Sequence, residues 1–547
     1  MLKRSGFALV GALLLVLAGC GGGGGGGGGS SGGGAVVTPP PSGPTWTRGV
    51  FQSASTFENR CAAPRAGADS QGRAFPDQAG SLAQELFWLR SWTNQTYLWN
   101  TEVVDQNPSG FTDRLAYFNV LKTNAATASG QPKDRFHFTV NTAEYLAQVT
   151  SAPTVGYGAE IRVFSSTPPR DVRVIFTTPG TPATVLENGR PKLERGARIL
   201  NVDGIDLVNG GATQGEINTL NNGLFPIDVA NHAFVLRYAD GTERPVMLSA
   251  DALVEAPVNR QSVITTPTGK VGYILLNTFS PYSTEKGLAD AIAAMKTQGV
   301  SDVVLDLRYN GGGLLAVASQ LSYMVAGPAR TNGHVFERLR FNAAAGASNP
   351  VTGAANSPTP YYSTGVGFSV PNGTALSTLD LPRVFVLSTS STCSASESVI
   401  NGLRGVDVEV ILIGSTSCGK PFGFYPEDNC GQTYFSVQFQ GVNDKGFGDY
   451  PDGFTPSNSS SANAVKVTGC AVADDFSHDL GDTNEAMLSA ALGFRANGTC
   501  PLPPATSIGV ARVRDTGEPI RTTGRSQAVE ILRSMRDLSM PDRGARP

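Results

Sequence analysis

From Val271 to Lys420 the sequence alternates short, β-branched apolar runs with stretches that carry one apolar face at helical spacing. Val271 to Asn277, Val303 to Arg308, Val384 to Leu387 and Val408 to Gly414 are predicted strands. Ser283 to Gln298 is a predicted amphipathic helix through Leu288, Ile292 and Met295. Leu314 to Val325 is a second, and the stretch opened by Ser394 a third, through Val399, Ile400 and Leu403. Strands alternating with helices restrict this part of the chain to βαβ units around a buried sheet.

Two residues in this pattern carry chemistry. Ser394 falls at a strand-to-helix turn, and Lys420 follows the next strand. A serine hydroxyl is a poor nucleophile until a base takes its proton, and a neutral lysine amine can be that base. Neutrality requires a dry pocket, because the lysine pKa must fall by about 3 units, roughly 4 kcal/mol. Helix-start amides such as that of Ala395 suit a developing oxyanion. The turn Tyr309-Asn310-Gly311-Gly312-Gly313 closes the preceding strand, and its glycines allow the close backbone approach an oxyanion site needs. Ser394-x-x-Glu397 also fits a capping box, which needs no chemistry, and the glycines also fit a simple tight turn.

The N-terminus reads as a processing signal. Lys3 and Arg4 precede an apolar core from Ala8 to Leu17, too short to span a bilayer. Leu17-Ala18-Gly19-Cys20 resembles a bacterial lipobox, which implies lipidation at Cys20 and a membrane anchor. Gly21, standing where an aspartate signals inner-membrane retention, implies by the same resemblance the outer membrane, facing the periplasm or the exterior. Gly21 to Gly29 and the Ser/Pro-containing stretch after it form a flexible tether. The glycine run has neither the preceding strand nor the following lysine of a phosphate loop. A formal net charge of -3 gives no electrostatic argument for nucleic acid. The six cysteines after Cys20 are an even set, as expected for disulfides in an exported chain. Proximity in sequence favours Cys418 with Cys430 and Cys470 with Cys500. With no CxxC pair, a metal site is not expected.

Leu82, Leu86, Trp88, Leu89 and Trp92, and again Leu115, Phe118 and Leu121, have helical spacing, so residues 80 to 124 are predicted helical core. His137 is expected to be structural. From Thr154 the texture changes to short β runs. Val155-Gly156-Tyr157-Gly158-Ala159-Glu160-Ile161 and the later Leu193 to Gly204 resemble, in order, the carboxylate-binding loop and the "lkpGDrIlaVnG" turn of a PDZ domain, with Ala197 where aspartate is usual. The resemblance implies that Val155, Gly156, Tyr157 and Gly158 bind a peptide C-terminus.

The order of helical segment, PDZ-like segment, LDLRYNGGG, SASE and GK resembles the carboxyl-terminal processing peptidases, the tail-specific proteases of family S41, over about residues 80 to 495. In that family "LDLRxNxGG" precedes "SASE", and a "GK" follows about 25 residues after the serine. The resemblance implies a Ser394 nucleophile, a Lys420 base, oxyanion amides from Ala395 and Gly312, and an α/β, crotonase-like catalytic core. It implies protein or peptide substrates, cleaved near their C-termini, and no cofactor. Relatives with "GKGTVQ" use the glutamine to orient the lysine. Here that position is Phe424, and Gln432, beyond an inserted loop, is the candidate for the role. The expected organisation is a signal peptide (1–20), tether (21–48), N-terminal helical segment (49–150), PDZ-like domain (151–260), peptidase domain (261–500) and a mostly disordered tail (501–547) with a short helix at Val529 to Met535. Two other readings remain open: a non-catalytic peptide-binding lipoprotein on the same scaffold, and a Cys393 nucleophile paired with a histidine. No histidine sits in a supporting motif.

Overall fold

The structure, a computed structural model, describes residues 43–69, 72–150 and 153–501, and the pair 536–537. The stretch read as a signal peptide, Cys20, nearly all of the expected tether and nearly all of the expected tail, with the short helix expected at Val529 to Met535, lie outside the described residues.

The N-terminal segment contains α1 (Leu82–Thr96) and α2 (Arg114–Val120). Ser81 caps α1 by accepting from Gln84 N–H, and Asp113 caps α2 through Leu115 and Ala116 N–H. Their buried faces meet around Trp88, Trp92 and Phe118, with the two indoles stacked at 5.2 Å. The chain then adds β1 (Phe138–Asn141).

The next unit is a β domain with its own core. It comprises β2 (Thr154–Gly156), β3 (Ala159–Ser165), β4 (Asp171–Thr177), β5 (Arg198–Val202), α3 (Gln214–Leu224), β6 (Asn231–Arg237), β7 (Glu243–Ser249) and β8 (Asp251–Leu253). The main sheet runs β7-β6-β5-β4-β3, which leaves β3 at an edge, while β2 pairs with β8. Alternate residues of these strands, among them Ile161, Val163, Val172, Val174 and Phe234, face α3 through Ile217, Leu220 and Leu224.

The largest unit follows: β9 (Val258–Thr266), β10 (Gly269–Leu276), α4 (Ser283–Gln298), β11 (Asp302–Asp306), α5 (Leu315–Ala326), β12 (Arg383–Ser388), α6 (Ala395–Gly405), β13 (Glu409–Gly414), β14 (Gln432–Phe435), β15 (Gly469–Ala471) and α7 (Ala486–Asn497). Its sheet runs β9-β10-β11-β12-β13-β15, parallel except for the β9–β10 hairpin. The period of two explains why these strands are continuously apolar. Ile274, Leu305, Val384, Val386, Val410 and Leu412 face α4, α5 and α6. Tyr273, Val304, Phe385, Leu387, Ile411 and Ile413 face α7 and the β domain. A sheet covered on both sides has no polar face to keep.

The N-terminal segment is stitched into this unit. β1 pairs antiparallel with β14, Tyr434 packs at a tilt against both Trp88 and Trp92, and Cys61 is bonded to Cys430. This corrects the pairing of Cys418 with Cys430. Cys418 is bonded to Cys393 instead, while Cys470–Cys500 forms as expected. Sequence proximity misled because the hairpin carrying Cys430 crosses to the N-terminal segment, leaving Cys418 beside the start of α6. Among the described residues, no helix is long and apolar enough to cross a membrane. Of the tail, Arg536–Asp537 pairs in parallel with Gly313–Leu314.

Candidate active site

Ser394 occupies the turn between β12 and α6 with φ 59° and ψ −114°, a conformation costly for a residue with a Cβ. It is fully buried, and its Oγ has no hydrogen-bond partner among the described residues. Its N–H donates to Glu397 Oε2 at 3.0 Å, so the capping geometry the motif allowed does form through the carboxylate. Capping and catalysis are therefore compatible uses of the same four residues.

Glu397 does more than cap. Its carboxylate also accepts from Ser417 Oγ at 2.5 Å, Gly419 N at 2.8 Å and Lys420 N at 2.8 Å. One buried side chain thus fixes the backbone of both Ser394 and Lys420. Burial raises its pKa, against the pull of these donors.

Lys420 is fully buried. Its Nζ stands 4.4 Å from the ring centre of Phe424 and 4.9 Å from that of Phe136. Burial pulls its pKa down to about 7, against the attraction of Asp134 and Glu397, while the nearby Arg135 pushes the same way as burial. Phe136 and Asp134 come from the N-terminal segment. Arg135 from the same turn donates to the carbonyls of Cys418 at 2.6 Å and Gly419 at 3.3 Å. The lysine's dry, near-neutral environment is therefore assembled in part from residues more than 280 positions away in the chain, the nearer ring being that of Phe424.

The glycine turn lies against the serine turn. Asn310 is the staple between them. Its carbonyl accepts from Cys393 N at 3.0 Å and Ser396 Oγ at 3.1 Å, and its Nδ2 donates to Leu276 O at 3.0 Å. Its Oδ1 accepts from Gly312 N at 2.9 Å. Gly312 N–H is thus engaged, and serving an oxyanion would require it to exchange or share that bond. Ala395 is the first residue of α6, where the amides of the first turn lack intrahelical acceptors. Behind the turn, Arg308 is fully buried among Asp306, Asp474 and Glu485, and Arg195 of the β domain bonds Asp474 and Tyr309 Oη. The staple and this ionic network were not anticipated. Asn310 was legible as part of the turn, but its role depends on partners the sequence does not bring together.

The remaining candidates fall as follows. Gln432 lies on β14 opposite Asn141 and Asn429, whereas Phe424 stands over Lys420. Val155 and Gly156 sit in the short β2–β8 ladder. Tyr157 is buried and donates through Oη to Gly223 O at the end of α3, and Gly158 turns the chain into β3 at φ 76°. Cys393 is oxidised in a disulfide and has no thiolate to offer. Each of the four histidines is bonded elsewhere: His137 to Phe118 O, His232 to Asp203, His334 to Asp444 and His478 to Asp475. The cysteine–histidine reading has no support in this arrangement.

Residues 270–424 match the sequence profile of Peptidase family S41. The matched stretch runs from β10 past Lys420. No curated protein matches the chain. Among solved structures, one from Bacteroides fragilis NCTC 9343 described as a "Putative S41 protease" is 24% identical with a TM-score of 0.55, over 75% of this chain and 97% of that one. The photosystem II D1 C-terminal processing protease is 17% identical with a TM-score of 0.39, over 71% and 94%. Mature CPAF complexed with lactacystin is 12% identical with a TM-score of 0.35, over 68% and 92%. The stretch that carries both the serine turn and Lys420 is thus similar in sequence to peptidase family S41, on a fold shared with a solved protein described as an S41 protease.

Proposed function

We propose that this protein is a serine endopeptidase in which Ser394 is the nucleophile and Lys420 the general base. The observation that carries the reading is Lys420 itself: a buried lysine, flanked by two aromatic rings, with a pKa near 7, tied through Glu397 to the backbone of a buried, strained serine. The neutral amine takes the Ser394 proton as Oγ attacks the scissile carbonyl. The oxyanion that forms faces the Ala395 amide, with Gly312 as second donor once it releases Asn310 Oδ1. The lysine ammonium returns the proton to the leaving amine, and water then cleaves the acyl-enzyme with the lysine again as base.

The β domain is the substrate selector in this reading. Its edge strand β3 is available to take an extended peptide as a further strand, and the turn at Val155 to Gly158 would receive the peptide's carboxylate. Arg162 of β3 donates to Ser391 Oγ, three residues before Ser394, so the edge strand lies close to the serine turn, which supports this reading. The substrates are protein C-termini, and a lipid anchor at Cys20 would hold the enzyme at the cell envelope, on the outer membrane.

Incubation of the chain from Thr45 onward with a fluorophosphonate tests the nucleophile. Labelling at Ser394, absent from Ser394→Ala, is expected. Labelling elsewhere, or equal peptide cleavage by the variant, removes the reading. A matched pair of apolar-ended peptides, one free and one amidated, tests the selector. Amidation should lower kcat/KM by roughly 1.5 to 3 kcal/mol, one charge-assisted contact. Equal cleavage would leave the β domain a spacer.

A further inference from the structure

Ser394 and Lys420 sit on different segments, and a disulfide joins those segments beside both of them. Cys393 immediately precedes the serine, and Cys418 lies two residues before the lysine. Their Cα atoms are 5.1 Å apart. From Ser415 to Lys420 the chain has neither helix nor strand, so tertiary ties alone set its path. Ser415 N bonds Ser388 O, Ser417 N bonds Phe454 O and Cys418 N bonds Thr392 O, while Glu397 takes Ser417, Gly419 and Lys420. The disulfide is the covalent tie between this path and the turn that leads into α6. Both sulfurs lie near the Glu397 carboxylate, but being bonded to each other they offer a metal ion no thiolate.

We infer that the Cys393–Cys418 disulfide, together with the Glu397 carboxylate, is the positioning clamp that holds Ser394 and Lys420 in register, so that the peptidase reaches full turnover only while this bond is oxidised. The inference rests on the dyad proposed above. Its physical basis is distance. The bond fixes the Cα atoms of Cys393 and Cys418 5.1 Å apart, and without it, whether as two thiols or as two alanines, only non-covalent ties hold the two segments, whose separation is then free to shift by on the order of 1 Å. A displacement of about 1 Å between reacting groups is enough to cost on the order of a hundredfold in rate. Because the site is packed and Cys393 is buried, the adjustment passes to the two residues next to the sulfurs. Opening the bond consumes two electrons and two protons: a dithiol donates them, two cysteine thiols result and the dithiol leaves as its own disulfide.

The other two disulfides supply the control. Cys470–Cys500 ties β15 to the segment after α7, and neither cysteine flanks a residue of the dyad. The experiment compares the parent, Cys393→Ala/Cys418→Ala, Cys470→Ala/Cys500→Ala and Ser394→Ala in a peptide-cleavage assay across pH. Removing the clamp should lower kcat about tenfold or more with KM within about twofold, and move the apparent pKa of the rate upward from about 7 as the lysine pocket loosens. Removing Cys470–Cys500 should lower thermal stability and leave kcat and the pH profile as in the parent. A clamp-less chain with the parent's kcat and pH profile overturns the inference while Ser394→Ala, if inactive, keeps the dyad. An active Ser394→Ala overturns the dyad itself. Should Cys393→Ala/Cys418→Ala fail to fold, the same assay is run on the folded parent treated with dithiothreitol, with thiol labelling and mass spectrometry identifying which pair has opened. Activity lost in step with opening of Cys393–Cys418 supports the clamp, and activity retained with that pair open overturns it.

Discussion

The two halves of the candidate site are built in opposite ways. The Ser394 half is local: a strand, a strained turn and a helix within a few residues, with Glu397 one helical turn on. The Lys420 half is remote. Its aromatic walls are Phe424, four residues away, and Phe136, from a segment on the far side of the β domain in sequence, and its loop is pinned by Arg135. The contrast teaches that a serine can be presented by a turn whose main ties are close in sequence, whereas a lysine of unusual pKa needs its charge desolvated, which takes surface from wherever the fold can supply it.

Four experiments would break or sharpen that contrast. The largest effect belongs to the reacting groups. Ser394→Ala and Lys420→Ala should each reduce peptide cleavage by on the order of a thousandfold or more in kcat/KM while the circular dichroism spectrum stays that of the parent. Significant activity in either variant would dissolve the pairing of the halves.

Next is the remote wall. Phe136→Ala admits water to Lys420 without touching Ser394. The apparent pKa of the rate should climb from about 7 toward the free-lysine value, and activity at neutral pH should fall about tenfold or more. Fluorophosphonate labelling above pH 9 should recover. An unchanged pH profile would show that the lysine's state is set locally after all.

The parent's own pH profile is the third. The neutral amine is the active form, so the rate should rise as pH increases through about 7 and level off above it. The same depressed pKa has a sign for stability. Between about 7 and the free-lysine value, the unfolded chain holds a proton the folded chain lacks, so this group makes the fold more stable as pH rises through that window. Below about pH 7, both states are protonated and the folded state bears the full cost of the buried charge. A denaturation midpoint that moves the other way across that window in the parent, relative to Lys420→Ala, would contradict a desolvated lysine.

The smallest effect on turnover belongs to the tie that holds the N-terminal segment down. Cys61→Ala/Cys430→Ala removes a cross-link spanning 369 residues, worth about 6 kcal/mol on a loop-entropy account, so the unfolding midpoint should fall clearly. Because β1 still pairs with β14, kcat at low temperature should change by less than about threefold. A large loss of kcat would mean that this staple, rather than packing, seats Phe136 over the lysine.

Much of the architecture was legible because its signals are local. Ser283–Gln298 is predicted and observed with the same bounds, ended by Gly299 in the left-handed conformation at φ 67°. The four predicted strands fall within a residue or two of β10, β11, β12 and β13. Continuous apolar runs bounded by turn residues can be only buried strands in a chain where helices alternate with them. The serine turn was legible for the same reason, since Ser394, Ala395 and Glu397 act within one helical turn.

What the sequence determined by itself is therefore the alternating strands and helices around Ser394 and Lys420 and the candidates for reactive chemistry. Tertiary structure alone decided how those residues are conditioned. It paired Cys393 with Cys418 rather than Cys418 with Cys430, set Asn310 as the staple and brought Asp134, Arg135 and Phe136 to Lys420. Local order follows from short-range sterics and periodicity written along the chain, whereas desolvation and cross-linking depend on which distant surfaces meet, and that is settled only when the whole core packs.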